Sequence, residues 1–361
     1  MSKGDGPPDS DTATGAPHPR ETPVLFGHAA IEADLLEAYR RGKLPHAILI
    51  GGPEGIGKAT LAWRLARFVL AHPDPASPEV RAAVDLSVPP AHPVARRIAA
   101  MSHGDIFRLR REWNDKPKPP RHFTEIRVDD VRKAISMFQM AASEGGWRVC
   151  IVDTAEDLNA NAANALLKII EEPPPRSLFL VIAHRPGQVL ATIRSRCRKL
   201  LLPGLAPADI VRAIRAIPGA APEGDVATAA ARAEGSVREA MRLLAGGALA
   251  LDGGIDRQLS ALPRVNWRDV HALADSVTGR DQERSFDTFL HAVFGWLSRA
   301  VREGAASGAG AARLGPLGEV YEVLHEKTRE AEALNLDKRA LVLSIFSELS
   351  AAVALSLKGE Y

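Results

Sequence analysis

The run Gly52-Pro53-Glu54-Gly55-Ile56-Gly57-Lys58 has the G-x-x-x-x-G-K spacing of a phosphate-binding loop. In such a loop backbone N–H groups surround the phosphate oxygens, the lysine reaches the terminal phosphates, and the next residue holds Mg²⁺ through a hydroxyl. That next residue is Ala59, which has no oxygen to offer. Thr60 carries a hydroxyl one position later, about 100° further round a helix. Asp153 ends the apolar run 149–152, where a second metal-coordinating carboxylate belongs. Hydrolytic sites of this kind follow that carboxylate with a Glu that polarises the attacking water. Thr154 stands there instead, and its hydroxyl is far too weakly acidic to serve as a base near neutral pH. With both parts missing, the favoured reading of Asp153 is a strand-ending residue bonded to nearby backbone. Glu156 lies too far along the chain to count as a substitute base.

Two arginines could also meet phosphate. Arg196 lies in the run Thr192-Ile193-Arg194-Ser195-Arg196-Cys197-Arg198. A planar guanidinium suits a γ-phosphate across a subunit boundary, where it stabilises the transferring group by roughly 10³–10⁵ in rate, about 4–7 kcal/mol. The same run also reads as a solvated basic turn, and residue types alone do not choose. Arg238, in Gly235-Ser236-Val237-Arg238, starts a helix. It reads either as a phosphate-sensing lid residue or as a helix-surface arginine, and the second is favoured because the loop it would serve is impaired. Gly52, Gly55, Gly57, Lys58, Thr60, Asp153 and Arg238 therefore form a degenerate nucleotide-binding set. It is expected to hold ATP weakly if at all, so no cofactor is required.

Arg108, Arg110, Arg111, Lys116, Lys118, Arg121 and His122 gather with Trp113 and Phe123. Basic residues with aromatics can bind nucleic acid, but the favoured reading is a solvated loop with both rings packed inward. His184 follows the apolar run 178–183 and reads as a structural histidine.

The elements that must position these groups show in the periodicity. An apolar run at 47–50 leads into the loop, and Leu61, Ala62, Leu65, Ala66 and Val69 follow at helical spacing. The run 149–152 predicts a second strand and 178–183 a third. Between them Ala162, Ala165, Leu166, Ile169 and Ile170 share one helix face, and Pro173, Pro174 and Pro175 stop that helix. Alternating strands and helices around a phosphate loop predict a parallel α/β sheet. After Pro203 strand signals give way to short Ala-rich helices near 207–217, 223–233 and 236–246, a Gly-rich linker at 246–254, and longer amphipathic helices near 267–278, 282–303, 313–332 and 337–357. Asp337 is the expected N-cap of the last.

The chain has 361 residues, enough for two or three domains, and a net charge of +2 that gives no overall nucleic-acid signature. Its two cysteines, Cys150 and Cys197, are too few for a disulfide framework or a Cys-rich zinc site, and inert thiols in a reducing cytoplasm are expected. No run reads as the roughly 18 apolar residues that span a bilayer, so no membrane partner is expected. Residues 1–20, rich in Gly, Pro, Ser, Thr and Asp, read as a disordered arm.

Leu44-Pro45-His46-Ala47 before the loop, Asn161-Ala162-Ala163-Asn164-Ala165-Leu166-Leu167-Lys168 running to Glu171-Glu172-Pro173-Pro174, and Ser195-Arg196-Cys197 together resemble the bacterial clamp-loader subunits of DNA polymerase III. The resemblance runs from about Val24 to Leu202 and continues more loosely beyond. Within that family the losses at Ala59 and Thr154 suit the delta prime branch, which has the ATPase fold without hydrolysis. The resemblance implies a P-loop NTPase-like (AAA+) α/β domain over 21–204, a small helical lid over 205–250 and an all-α C-terminal collar over 251–361. It implies that Arg196 is an arginine finger acting in trans, with Ser195 and Cys197 holding its turn. The implied partners are gamma/tau and delta subunits, and, through the assembled complex, the sliding clamp and primer–template DNA. Many subunits of the family carry a four-Cys zinc module, whereas 72–122 contains no Cys, so no metal is expected. Two rivals stand beside this reading: an ATP-hydrolysing gamma/tau-like subunit, and an interaction scaffold outside replication.

Overall fold

A computed structural model of the chain describes residues 15–358, apart from 119, 141, 143–145, 218, 220–221, 280–282 and 335. The chain divides into two compact units, Met1–Met241 and Arg242–Tyr361. The first contains α1 (Ala29–Arg40), β1 (Ala47–Gly51), α2 (Lys58–Ala71), α3 (Pro78–Ala82), α4 (Pro93–Ala99), β2 (Ile106–Leu109), β3 (Trp113–Asn114) and β4 (Arg121–His122). It continues through α5 (Val128–Gln139), β5 (Arg148–Asp153), α6 (Ala160–Glu171), β6 (Ser177–Ala183), α7 (Ala191–Arg196), β7 (Arg198–Leu201), α8 (Pro207–Arg215), α9 (Glu223–Arg232) and the start of α10 (Val237–Leu244).

Five strands form one parallel sheet in the order β2-β5-β6-β1-β7. The interiors of the central strands, 149–152 in β5 and 178–183 in β6, are continuously apolar and buried because both faces are covered. Alternate side chains serve opposite layers. Ile48, Ile50, Ile151, Leu180 and Ile182 join a core with α1, α2 and α4. Leu49, Cys150, Val152, Phe179 and Val181 join a second core with α5, α6 and α7. This is the P-loop NTPase-like architecture, with the phosphate loop leaving the C-terminal end of β1. Helix α6 begins where Asn159 accepts the Ala162 amide at 2.8 Å, one residue before the expected start. Both cysteines are buried, which pushes the Cys150 thiol up to about 12 and the Cys197 thiol up to about 11.

Residues 1–14 of the expected disordered arm lie outside the described residues. Its last residues are packed: His18 is buried with its ring edge-on to Trp63, and Arg20 Nε donates to Ala99 O at 3.2 Å. Edge strands β2 and β7 and the small hairpin β3–β4 add to the elements visible in the sequence.

The second unit holds α11 (Ala248–Ser260), α12 (Trp267–Val277), α13 (Glu283–Ala306), α14 (Ala311–Leu334) and α15 (Lys338–Lys358) around one apolar core. Helix α11 corrects the expected linker at 246–254. Ile255 and Leu259, one turn apart, are fully buried in that core. Their burial outweighs the helix cost of Gly253 and Gly254, about 1 kcal/mol each. Asp337 caps α15 as expected, accepting the Arg339 amide at 2.9 Å. By length and composition α15 can cross a membrane, with a mean hydropathy of 2.0 over 18 residues, which corrects the expectation of no such run. Its Leu341, Val342, Ile345, Phe346 and Leu349 line the core of the helical unit.

Candidate functional site

Strand β1 ends at Gly51, and the chain turns through Gly52, Gly55 and Gly57, all at positive φ (143°, 76° and 99°), into α2. Gly57 is the left-handed N-cap of α2, so the positive end of that helix faces the loop. Lys58 is 3% exposed. Its Nζ donates to Gly52 O at 2.7 Å and to Pro53 O, so the ammonium is folded onto the loop's own carbonyls. Burial pulls it down to about 8, against the pull of Asp153, Glu54 and Glu156.

The first turn of α10 closes on this loop. The Val237 amide donates to Gly55 O at 2.9 Å, and Arg238 pairs with Glu54. Ser236 accepts the Glu239 amide at 3.2 Å and so caps α10 at the point of contact. His28 Nε2 meets Ile56 O at 2.8 Å from the other side. Glu54 thus sits in the middle of the loop and pairs with the arginine that starts α10. Sequence reasoning missed this pair, although a carboxylate in the middle of such a loop was its visible signal.

A cavity of about 630 Å³ adjoins the loop. Its lining combines apolar Pro17, Val24, Leu25, Phe26, Ile217 and Met241 with polar Lys58, Thr60, Asp153, His184 and Arg238. The volume and the helix N-terminus fit the base and phosphates of a nucleotide. The residues do not fit its Mg²⁺: Ala59 has no oxygen and packs against the apolar core, and the next hydroxyl, on Thr60, is about 100° further round α2. Thr154 is buried and lines the cavity beside Asp153. Glu156 lies in a single 3₁₀ turn, Ala155–Asp157, and its Oε1 accepts the Arg185 amide at 2.5 Å. Burial first and Lys58 next hold His184 below the usual imidazole range, against the pull of Glu54 and Glu156. Among the described residues no group of three or more His, Cys, Asp or Glu side chains gathers to hold a metal.

Arg196 stands apart from this cluster. It ends α7, directly before β7, whose register sets Arg198 beside Ile48 and Leu201 beside Gly51. The five strands of this sheet run the same way, so Arg196 lies at its N-terminal end and the loop at its C-terminal end. Three strand residues alone separate them by about 10 Å. Arg196 is 41% exposed; its Nε pairs with Glu171 at 2.5 Å, and its Nη1 donates to Thr192 O at 3.3 Å and Ser195 Oγ at 3.2 Å. Ser195 Oγ donates to Thr192 O at 3.0 Å, and buried Ile193 and Cys197 anchor the turn from below. Glu171, the last residue of α6, is a partner that sequence reasoning did not find.

A family model described as DNA polymerase III, delta subunit, matches residues 27–206. The DNA polymerase III subunit delta' of Pseudomonas aeruginosa is 37% identical over 183 residues, 49% of this chain and 49% of that protein. The DNA polymerase III subunit tau of Bacillus subtilis is 27% identical over 230 residues, 63% of this chain and 37% of its own length. The chain spans half or less of the length of these curated relatives. Among solved structures, a DNA polymerase III gamma subunit-related protein of Thermotoga maritima aligns over 90% of this chain and 100% of its own, at 18% identity and a TM-score of 0.40.

Proposed function

The chain belongs, through residues 27–206, to the DNA polymerase III delta subunit family, and on that premise we propose that it is a non-hydrolysing clamp-loader subunit of the delta prime type, lending Arg196 to a neighbour's ATP site. The observation that carries the reading is the placement of Arg196 at the opposite end of the sheet from its own loop. A guanidinium there serves another subunit or none. Its tether is weak enough to exchange. Glu171 and Arg196 are 38% and 41% exposed, and solvent screening leaves such a pair about 0–1 kcal/mol. A γ-phosphate carries more charge and offers the planar fork two oxygens.

The chain's own site supports the other half of the proposal. Ala59 and Thr154 remove the metal ligand and the base, and Glu54, inside the loop, pairs with Arg238. The partners are gamma/tau and delta subunits in the cytoplasm, and the assembled complex places a sliding clamp on primer–template DNA. The match to tau favours a hydrolysing subunit as a second reading, which the same two residues oppose.

Arg196→Ala in the reconstituted complex tests the proposal. Turnover at the one neighbouring site falls roughly 10³-fold, Arg196→Lys recovers only part of it, and the variant chain melts as the wild type does. Wild-type ATP turnover and clamp loading with Arg196→Ala would overturn the trans role.

A further inference from the structure

We propose that the β3–β4 hairpin is a contact for the phosphate backbone of nucleic acid. Its argument is independent of the role of Arg196. In a chain of net charge +2, residues 110–122 alone carry five cations, Arg110, Arg111, Lys116, Lys118 and Arg121, against two carboxylates, Glu112 and Asp115.

The structure puts this charge on a built element. Trp113 pairs with His122 and Asn114 with Arg121 in antiparallel register, and the Phe123 amide donates to Glu112 O at 2.9 Å. The Trp113 ring stands edge-on to His122 with 4.9 Å between centroids. The Lys116 amide donates to Asn114 Oδ1 at 3.1 Å, and the Arg127 guanidinium lies 4.1 Å over the Phe123 ring. Neither Trp113 nor His122 belongs to a hydrophobic core of the unit, so the hairpin is not packing the fold.

Charge neutralisation within the hairpin stops short of its tip. Asp115 accepts the Trp113 indole N–H at 2.5 Å, and Arg111 pairs with Asp157 at 3.2 Å. Lys116, Lys118 and Arg121 are exposed and make no ion pair with any described residue. Pro117 separates the two lysines, and Pro119 and Pro120 follow. Fixed φ angles lower the entropy lost when these cations are ordered on a partner. The favoured sequence reading turned both aromatics inward, whereas Trp113 and Phe123 are half-buried beside the free cations. Unpaired cations that outnumber the exposed carboxylates Glu112 and Asp115 suit a row of phosphates more than the mixed surface of a protein. Such contacts carry affinity without sequence preference.

The test uses the full chain and a fluorescent primer–template DNA, titrated from 50 to 200 mM salt. Wild-type chain binds, and the Lys116→Ala/Lys118→Ala/Arg121→Ala variant binds at least tenfold more weakly at 50 mM salt. Its slope of log affinity against log salt is shallower by about 2–3, as the loss of three phosphate contacts requires. A variant with the same charge change elsewhere, Lys43→Ala/Arg81→Ala/Lys199→Ala, stays within threefold of wild type. Absence of wild-type binding, an unchanged slope in the hairpin variant, or an equal loss in the control overturns the proposal. So does displacement of the DNA by polyglutamate of equal charge concentration, which points to an acidic protein partner instead.

Discussion

A methyl group at Gly55 attacks the contact between loop and lid directly. A Cβ there would lie 2.5 Å from Arg238 Cβ, 3.0 Å from the Arg238 amide nitrogen and closer still to Ser236 Oγ, so the start of α10 must retreat. Retreat breaks the bond from the Val237 amide to Gly55 O, worth about 1 kcal/mol net. It also parts Arg238 from Glu54, 44% and 52% exposed, a pair that screening holds to a few tenths of a kcal/mol, at most ~1. The backbone at φ +76° adds about 1 kcal/mol for any residue with a Cβ. Gly55→Ala therefore weakens the closed arrangement by about 2–3 kcal/mol. Amide hydrogen exchange at Val237 reads this as a local opening roughly 30- to 150-fold more populated than in wild type. Gly187→Ala, where nothing lies within 4 Å, is the control and leaves Val237 unchanged. Exchange at Val237 within twofold of wild type in Gly55→Ala would refute the clasp.

Other perturbations test neighbouring parts of the account. Lys58 titrates near 8 in the fold and near its ordinary 10.5 when unfolded, so between those values the unfolded chain binds more protons and stability rises with pH. The slope approaches about 1.4 kcal/mol per pH unit. The buried thiols, raised in the fold, work in the opposite direction above about pH 9, so the readout is the difference between wild type and Lys58→Met in urea unfolding from pH 7.5 to 10. A flat difference contradicts the burial argument. Glu32 accepts the buried Arg64 Nε at 2.7 Å and the Leu86 amide at 3.3 Å. Glu32→Ala strands that guanidinium and costs about 3 kcal/mol in denaturant unfolding, the low end for a broken buried pair because Asp85 stands 3.7 Å from Arg64. Glu32→Leu with Arg64→Met recovers much of that loss.

The parts of the fold that were legible in the sequence are those with strong local signals. β1, β5 and β6 are continuous apolar runs because they are buried on both faces, and α6 carries an Asn cap and a triple-proline stop. The edge strands were harder. Ile106–Leu109 includes Arg108, and only one residue in Arg198–Leu201 is even half-buried, since an edge strand has one neighbour and a freer face. Helix α11 was hidden because two glycines argue against a helix locally, and only the tertiary burial of Ile255 and Leu259 reverses that. In the site, the loop spacing and the absences at Ala59 and Thr154 were readable residue by residue. The carboxylates that hold the arginines were not. Glu54 meets Arg238 across 184 residues of sequence, and Glu171 meets Arg196 through the packing of α6 against α7. Such partners are set by topology, which spacing does not carry.

ATP turnover by the purified chain alone, with Mg²⁺ and at concentrations that saturate ordinary ATPases, bears most directly on the claim that this nucleotide frame has no working engine. The account predicts no release of phosphate above the protein-free rate. It predicts the same for Ala59→Thr, because Thr154 still leaves the water without a base. Magnesium-dependent turnover by the wild-type chain at the rates of working ATPases, about 1 per second or faster, contradicts it.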